Sequence, residues 1–181
     1  MPTEIAEIDT TSGTLGSPLS IALSQNDLDR LAYNEMLSFQ SMNLSEQDVV
    51  QLTLTLDRQF MAGMAYYTGL RKIGATIIRI GPGVPKMQWD SIFRYQTTVL
   101  VGVPSFILKM IQFAISHDID YKSSKVTKIL AIGESIYDTA GQPTVLYQKL
   151  YDLWPIAYFN TYASTEMQTG FTECTAHNGM H

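Results

Sequence analysis

The sequence predicts an α/β fold with a mostly parallel sheet flanked by helices. Short runs that are apolar on both faces recur along the chain, and helical stripes of ten or more residues separate them. Strands buried on both faces and joined by helices are typical of right-handed βαβ units. Hydrophobic residues make up 45% of the 181 residues and charged residues only 16%, which favours a globular interior over a disordered chain.

Each predicted element follows from apolar periodicity and from turn residues. Near the start, an alternating strand at 3–9 and an apolar strand at 19–23 flank a loop rich in hydroxyl groups and glycine, and Ser24 caps the next helix. From residue 48 the pattern is regular. The predicted strands cover 49–54, 75–80, 98–103, 127–132 and 156–160, and the predicted helices cover 60–73, 86–95, a segment that begins at Pro104, and 143–154.

Composition also limits the partners and the compartment. The net charge of −5 argues against a nucleic-acid or acidic-lipid surface. The longest apolar run, 99–108, is broken by Gly102 and Pro104 and is too short to cross a bilayer, so we expect no membrane partner. Cys174 is the single cysteine, which excludes an internal disulfide and predicts a reducing, cytoplasmic location.

Three polar loops are candidate binding elements. The loop 10–18 contains two glycines and several hydroxyl groups, so its backbone amides can turn toward one phosphate, although no Walker Gly-Lys-Ser/Thr follows. Gly133-Glu134-Ser135 and the segment 160–166 each follow a predicted strand. Each loop by itself also fits an ordinary turn. Because ligands collect at the carboxyl ends of strands in open α/β sheets, we expect Ser12, Gly133 and Thr165 to border one cleft.

The motifs, in this order, resemble those of the adenylate-forming superfamily, the acyl-CoA synthetases. Thr11-Ser12-Gly13-Thr14-Leu15-Gly16-Ser17-Pro18 is similar to its phosphate loop, and Asn160-Thr161-Tyr162-Ala163-Ser164-Thr165-Glu166 to its second signature. Within the superfamily the chain most resembles the phenylacetate–CoA ligases, through 74–78, 102–106 and the tail from Glu173. Two departures stand out, because Ser17 occupies the position of a usual lysine and Ala163 that of a usual glycine.

The resemblance implies a nucleotide site for ATP and Mg²⁺. The β- and γ-phosphates would be surrounded by Ser12, Gly13, Thr14 and Gly16. The adenine would be bordered by Gly133, Glu134 and Ser135, and Tyr162 would stack on it. Thr165 would bond the α-phosphate, and Glu166 would hold Mg²⁺.

The resemblance also implies a substrate and a reaction. A carboxylic acid, such as the aryl acid phenylacetate, would lie near Phe60, Met61, Ala131 and Ala157. Its carboxylate would attack the α-phosphorus of ATP to give an acyl-adenylate and pyrophosphate, and coenzyme A would then take the acyl group as a thioester. An acyl-protein synthetase, a nucleotide-binding module without turnover and an α/β interaction domain remain alternatives.

The extent of the resemblance predicts an incomplete enzyme. Residues 1–181 correspond to part of the family's nucleotide- and acid-binding domain, without the C-terminal lid domain. The family's ribose-binding aspartate and its catalytic lysine lie beyond the segment that is resembled. We therefore expect these residues alone to be inactive and to self-associate, or to form a homo-oligomer, through uncovered apolar surface.

The tail contains a candidate zinc set. Cys174, His177 and His181 have the spacing C-x2-H-x3-H, which suits three of the four ligands of a structural zinc. The alternative is a buried free cysteine accompanied by surface histidines.

Overall fold

The computed structural model describes residues 4–13 and 16–181. Its strands are β1 (Glu7–Thr10), β2 (Ser20–Leu23), β3 (Val49–Leu52), β4 (Thr76–Arg79), β5 (Val99–Gly102), β6 (Lys128–Ala131), β7 (Ala157–Ser164) and β8 (Thr169–Thr172). Its helices are α1 (Gln25–Ser41), α2 (Met61–Ile73), α3 (Pro85–Tyr95), α4 (Pro104–Ser116) and α5 (Val145–Leu153), with a 3₁₀ turn at Tyr121–Ser123.

The main sheet is mostly parallel, as predicted. Within the described residues it has six strands in the order β4-β3-β5-β6-β7-β8, and only β8 runs antiparallel to its neighbour. The chain leaves β3 for β4 on one side and then returns to β5 on the other. The connection that leaves the carboxyl end of β3 therefore runs toward β4, and the one that leaves β5 runs the other way, toward β6. This divergence opens a crevice between β3 and β5 at that edge of the sheet.

Helices cover both faces of this sheet. Alternate residues of each strand point to opposite faces, so that Leu100 packs with α3, α4 and α5, whereas Val99 and Val101 pack with α1 and α2. The predicted α/β fold, a mostly parallel sheet flanked by helices, is thus confirmed. Among the described residues, none of the helices combines the length and the apolar character that crossing a bilayer requires.

Two expectations about the strands were wrong. β1 and β2 pair with each other in a separate antiparallel sheet, so the first polar loop does not follow a strand of the main sheet. The predicted strand 156–160 continues to Ser164, and the polar residues after 160 belong to a β7–β8 hairpin. Pairing with β8 satisfies their backbone groups, and the hydroxyls of Thr172 and Thr161 are joined by a hydrogen bond of 3.0 Å.

A close backbone approach fixes the start of α2. A Cβ atom added at Gly63 would overlap the carbonyl oxygen of Thr55 and would lie 2.9 Å from Cα of Leu56. Neither atom belongs to a flexible side-chain end. Glycine at this position therefore allows the first turn of α2 to pack directly on the loop that follows β3.

Gly63→Ala should destabilise the chain by about 1 kcal/mol or more. Alanine improves helix propensity by about 1 kcal/mol, but overlap with a fixed backbone costs about 1–3 kcal/mol and can exceed that range. Urea denaturation measures the difference. Gly16→Ala is the matched control, because nothing lies within 4 Å of its added Cβ. Equal losses in the two variants would contradict the packing argument.

Two buried carboxyl groups flank the contact of α1 and α2. Asp9 of β1 is 2% exposed, and its Oδ2 has no hydrogen-bond partner among the described residues. Glu35 of α1 is 4% exposed. Burial raises the pKa of Asp9 from 3.8 to about 6, with a further contribution from Glu7, and raises the pKa of Glu35 from 4.5 to about 7.

These two acids predict that stability falls as pH rises from about 4 to about 7, with Asp9 acting up to about pH 6 and Glu35 from about pH 4.5 to about pH 7. Both groups hold a proton in the folded chain at pH values where the unfolded chain has lost it. The free energy of unfolding therefore decreases as pH rises through this window, by up to about 1.4 kcal/mol per pH unit for each group.

Urea denaturation across this window measures the slope. Glu35→Gln should flatten it, whereas substitution of the exposed Glu46 by Gln should leave it unchanged. Identical slopes in Glu35→Gln and the unmodified chain would contradict the role given to Glu35.

Candidate active site

Two adjoining cavities open at the carboxyl ends of the parallel strands. The larger, here called the inner cavity, has a volume of about 600 Å³, and the smaller, here called the loop cavity, about 460 Å³. Segments that follow β3, β5 and β6 line the inner cavity together with the end of β7. The two cavities share the lining residues Thr55, Arg58, Phe60, Ala163, Ser164 and Thr165.

The three polar loops meet around these cavities. Ser12 lines the loop cavity, Gly133 lines the inner cavity, and Thr165 lines both. Glu166 lies beside Thr165 in the β7–β8 turn and also lines the loop cavity. The first loop reaches the site from the separate β1–β2 sheet, whose Thr10 donates its backbone N–H to the carbonyl of Gln59 at 3.0 Å.

The glycines of the two upstream loops differ in their surroundings. Gly13 and Gly133 both have positive φ angles, of 65° and 72°, so a side chain at either position would be strained. Gly16 donates its N–H to the carbonyl of Gly13 at 3.2 Å, but it does not line either cavity. Thr14, the remaining member of the predicted phosphate loop, lies outside the described residues.

Glu134 and Ser135 use their side chains to hold neighbouring segments. The carboxylate of Glu134 accepts hydrogen bonds of 2.8 Å from the backbone N–H and from the hydroxyl of Ser105. It therefore caps α4, whose own N-cap residue, Val103, provides no side-chain bond. The hydroxyl of Ser135 accepts from the side chain of Asn160 at 3.2 Å, so Gly133 is the member of this loop that faces the cavity.

Tyr162 stands next to the site and outside both cavities. It is 58% exposed and pairs across the hairpin with Phe171. Strand alternation directs it to the face of β7 opposite to its neighbours Thr161 and Ala163, both of which line the inner cavity. In this arrangement the phenol ring is open to a ligand that approaches from solvent.

The predicted acid-binding residues separate into two groups. Phe60 and Met61 line the inner cavity. Ala131 is 1% exposed within the core, and the cavity is reached instead by the two residues that follow it. Ala157 does not line the cavity, because it begins β7 and pairs with Lys128 at the amino end of the strands. A parallel strand carries its first and last residues to opposite edges of the sheet.

The tail residues do not form the predicted zinc site. Within the part of the chain that the structure describes, no group of three His, Cys, Asp or Glu side chains is placed to hold a metal ion. Nδ1 of His177 lies 3.0 Å from Oε1 of Glu173, and its ring stacks on Phe159. Cys174 instead contacts Asn178, with 3.7 Å between the sulfur and Oδ1. His181 pairs through its backbone with Thr172.

Two charged residues of the site were not predicted. Arg58 lines both cavities from the loop between β3 and α2, where it and Gln59 have positive φ angles of 60° and 56°. Its loop is polar and follows a strand, which is the signal that identified the other loops. Glu35 lines the inner cavity from α1. It is four residues from both Leu31 and Phe39, a spacing that places it on the buried face of the helix.

The two charged residues of the inner cavity lie in different environments, one exposed and one buried. Arg58 is the exposed one, with 85% of its side chain accessible and Asp57 at 3.9 Å, whereas Glu35 is buried. The remaining lining is mostly apolar or hydroxyl-bearing. A ligand with an anionic end and a polar far end matches this distribution of charge.

The chain is similar in sequence to two curated ligases. The chain is 27% identical over 109 residues to phenylacetate-coenzyme A ligase of Escherichia coli (strain K12), and 24% identical over 107 residues to the enzyme of the same name from Pseudomonas putida. These alignments cover 60% and 59% of this chain and 25% and 24% of the two ligases. The matched part thus spans about a quarter of each relative.

Solved structures share the fold at lower identity. An open conformation of 2-hydroxyisobutyryl-CoA ligase, in complex with 2-HIB-AMP and CoA, superposes with a TM-score of 0.81 at 17% identity, over 99% of this chain and 41% of that one. ATP-bound MatB from Rhodopseudomonas palustris gives 0.72 at 18% identity, over 95% and 31%.

A protein-family comparison covers nearly the whole chain. The family described as AMP-binding enzyme matches residues 1–180. Together with the parallel sheet and the loops at its carboxyl edge, this match shows that the chain belongs to the AMP-binding enzyme family.

Proposed function

We propose that the chain is part of an AMP-forming acid–CoA ligase that activates an aryl acid such as phenylacetate. The observation that carries the proposal is that Thr165 lines both cavities. The loop cavity is also bordered by the hydroxyl-rich loop and Glu166, whereas the inner cavity is larger and mostly apolar. A nucleotide in the first and an acid in the second would meet at Thr165. The names of the two curated relatives support the substrate class.

The loop cavity suits the triphosphate of ATP. Ser12 and Thr11 bring hydroxyl groups to one wall, and Ser164 and Thr165 bring hydroxyl groups to the other. The positive φ angle of Gly13 is of the kind found in loops whose backbone amides bind phosphate oxygens. Adenine would extend along Gly133 toward the exposed ring of Tyr162, where stacking is available.

Glu166 suits a magnesium ion that is shared with phosphates. Mg²⁺ in nucleotide sites is held by one or two carboxylates together with substrate phosphate oxygens, so a single carboxylate at the cavity wall is sufficient. Among the described residues, no ion pair involves Glu166. When bound, Mg²⁺ would neutralise negative charge that develops on the phosphates.

The inner cavity would orient the acid. Its volume of about 600 Å³ is within the range of small-molecule sites. Phe60 and Met61 provide apolar surface for an aryl or acyl group, and the guanidinium of Arg58 can attract the carboxylate to the junction of the two cavities. Holding the carboxylate beside the α-phosphate turns adenylate formation into an intramolecular-like step, followed by transfer of the acyl group to coenzyme A.

The wider organisation follows from this assignment. We place residues 1–181 in the nucleotide- and acid-binding domain, and we assign the lid function and the catalytic lysine to sequence outside them. Cytoplasmic location fits the single Cys174. Exposed apolar side chains such as Val145, which is 87% accessible, favour self-association of these residues in isolation.

Glu166→Gln in the full-length protein should lower acid-dependent ATP–pyrophosphate exchange by on the order of a hundredfold or more, because the amide cannot replace the anionic metal ligand. The fold should remain intact, since the residue is exposed in a turn. The matched control is Glu46→Gln, another exposed position, which should exchange normally. Near-normal exchange in the Glu166 variant would show that the metal is held elsewhere. Binding of ATP without any exchange in the unmodified protein would instead indicate a nucleotide-binding module.

Arg58→Gln should raise the KM for the acid by about tenfold, because a charge-assisted hydrogen bond to the carboxylate is lost. Arg71→Gln is the matched control, since Arg71 is also exposed on the α2 side of the molecule but lines neither the inner nor the loop cavity. Steady-state kinetics at varied acid and at varied ATP separate the two substrates. A rise confined to the KM for ATP would reassign Arg58 to the phosphates.

A further inference from the structure

We propose that Glu35 is a specificity-determining residue that binds a hydroxyl group at the end of the acid substrate remote from its carboxylate. The inference rests on the proposed acid-activating function and narrows its substrate class to hydroxyl-bearing acids. Three features of the described residues carry it: the position of Glu35 in the inner cavity, the space made for its carboxyl group, and the separation of charge along the cavity.

Glu35 is a buried acid that lines a cavity. It is 4% exposed and lies on the face of α1 that packs against α2. Leu31, Ala65 and Tyr66 line the cavity around it, and Thr161 and Thr169 line the side formed by the hairpin. A carboxyl group whose only role was to link secondary-structure elements would not need to border an open volume of about 600 Å³.

One glycine makes room for the carboxyl group of Glu35, and another allows α2 to approach α1 closely at the same residue. A Cβ atom added at Gly69 of α2 would lie 2.6 Å from Cβ of Glu35, and one added at Gly170 of β8 would lie 3.2 Å from its Oε1. The hairpin is held against α1 by Asn34, whose side chain donates to the carbonyl of Gly170 at 3.1 Å. Arg30 adds bonds of 3.0 Å and 2.9 Å to the backbone and side chain of Gln168. The hairpin wall beside the carboxyl group is therefore fixed to α1.

The charges along the cavity set the orientation of a bound acid. Among the lining residues that the structure describes, only Glu35 and Arg58 carry charged groups. Arg58 lies with Thr165 at the junction with the loop cavity. An acid held there by its carboxylate extends its other end into the inner cavity, toward Glu35.

A hydroxyl group suits Glu35 in either protonation state. Burial raises the pKa of Glu35 to about 7, and the phenol of Tyr66, whose own pKa is raised by burial and by this carboxyl group, faces it from α2. A hydroxyl can donate to the carboxylate and can accept from the carboxylic acid. The side chain of Asn34 also bonds this carboxyl group, and an unsubstituted ring would bring apolar surface against it without any further polar partner, which is unfavourable. Sites of this kind reject the analogue that lacks the hydroxyl.

The test compares phenylacetate, 3-hydroxyphenylacetate and 4-hydroxyphenylacetate in ATP–pyrophosphate exchange by the full-length protein. We expect kcat/KM for at least one hydroxylated acid to exceed that for phenylacetate by tenfold or more. In Glu35→Leu this preference should disappear or reverse, and Glu35→Gln, which keeps a hydrogen-bonding group, should retain part of it. Asp9→Asn, which alters a buried carboxyl group that does not line the inner cavity, should keep the full preference.

The outcomes separate the two proposals. If the unmodified protein exchanges with these acids without preferring a hydroxylated one, or if Glu35→Leu keeps the preference, the role of Glu35 is overturned while the ligase assignment stands. If no carboxylic acid supports exchange, the ligase assignment falls and the inference falls with it. Direct binding of the hydroxylated acid, followed by ligand-observed NMR, should weaken in Glu35→Leu. Unchanged binding there would also overturn the role.

Discussion

The parallel pairing of β3 with β5 is the constraint on which the site depends. Parallel strands bring their carboxyl ends to one edge, and the chain diverges at this pair, so the loops that follow open a crevice between them. The contact is tight. Thr53, just beyond β3, donates from its backbone and its hydroxyl to the carbonyl of Val101, at 3.0 Å and 2.9 Å. Gly102 admits the Thr53 hydroxyl, since a Cβ there would overlap it.

The crevice becomes two cavities because two other units close it. The β1–β2 sheet lies outside the main sheet and brings the hydroxyl-rich loop to one side. The β7–β8 hairpin extends the last parallel strand beyond the sheet edge and places Thr165 and Glu166 at its turn. The proposed adenylate formation requires a triphosphate and a carboxylate to meet, and in that proposal the wall shared at Thr165 would be the meeting point.

Some polar residues at the motif positions hold neighbouring segments of the protein together. The side chain of Glu134 caps α4, and that of Ser135 is bonded to Asn160, so both are used within the protein. Ser12, Thr165, Glu166 and Arg58 are among the residues that line the two cavities. A sequence motif therefore identifies the loop that forms the site more securely than it identifies the side chain that would contact a ligand.

The sequence by itself determined the fold class and the loops. Apolar runs such as Val99–Gly102, separated by helical stripes, required a parallel sheet, because each strand had to be buried on both faces. Local patterns also identified the chain segments that contain Ser12, Gly133 and Thr165.

Only the tertiary structure decided how distant segments meet. The pairing of β1 with β2, the extension of β7 to Ser164, and the placement of Ala157 at the far edge all depend on strand partners that no local pattern specifies. The presence of Arg58 and Glu35 in the site also depends on the tertiary structure. One follows an ordinary strand and the other occupies an apolar helix face, and they line a common cavity because α1, α2 and the hairpin pack together around it.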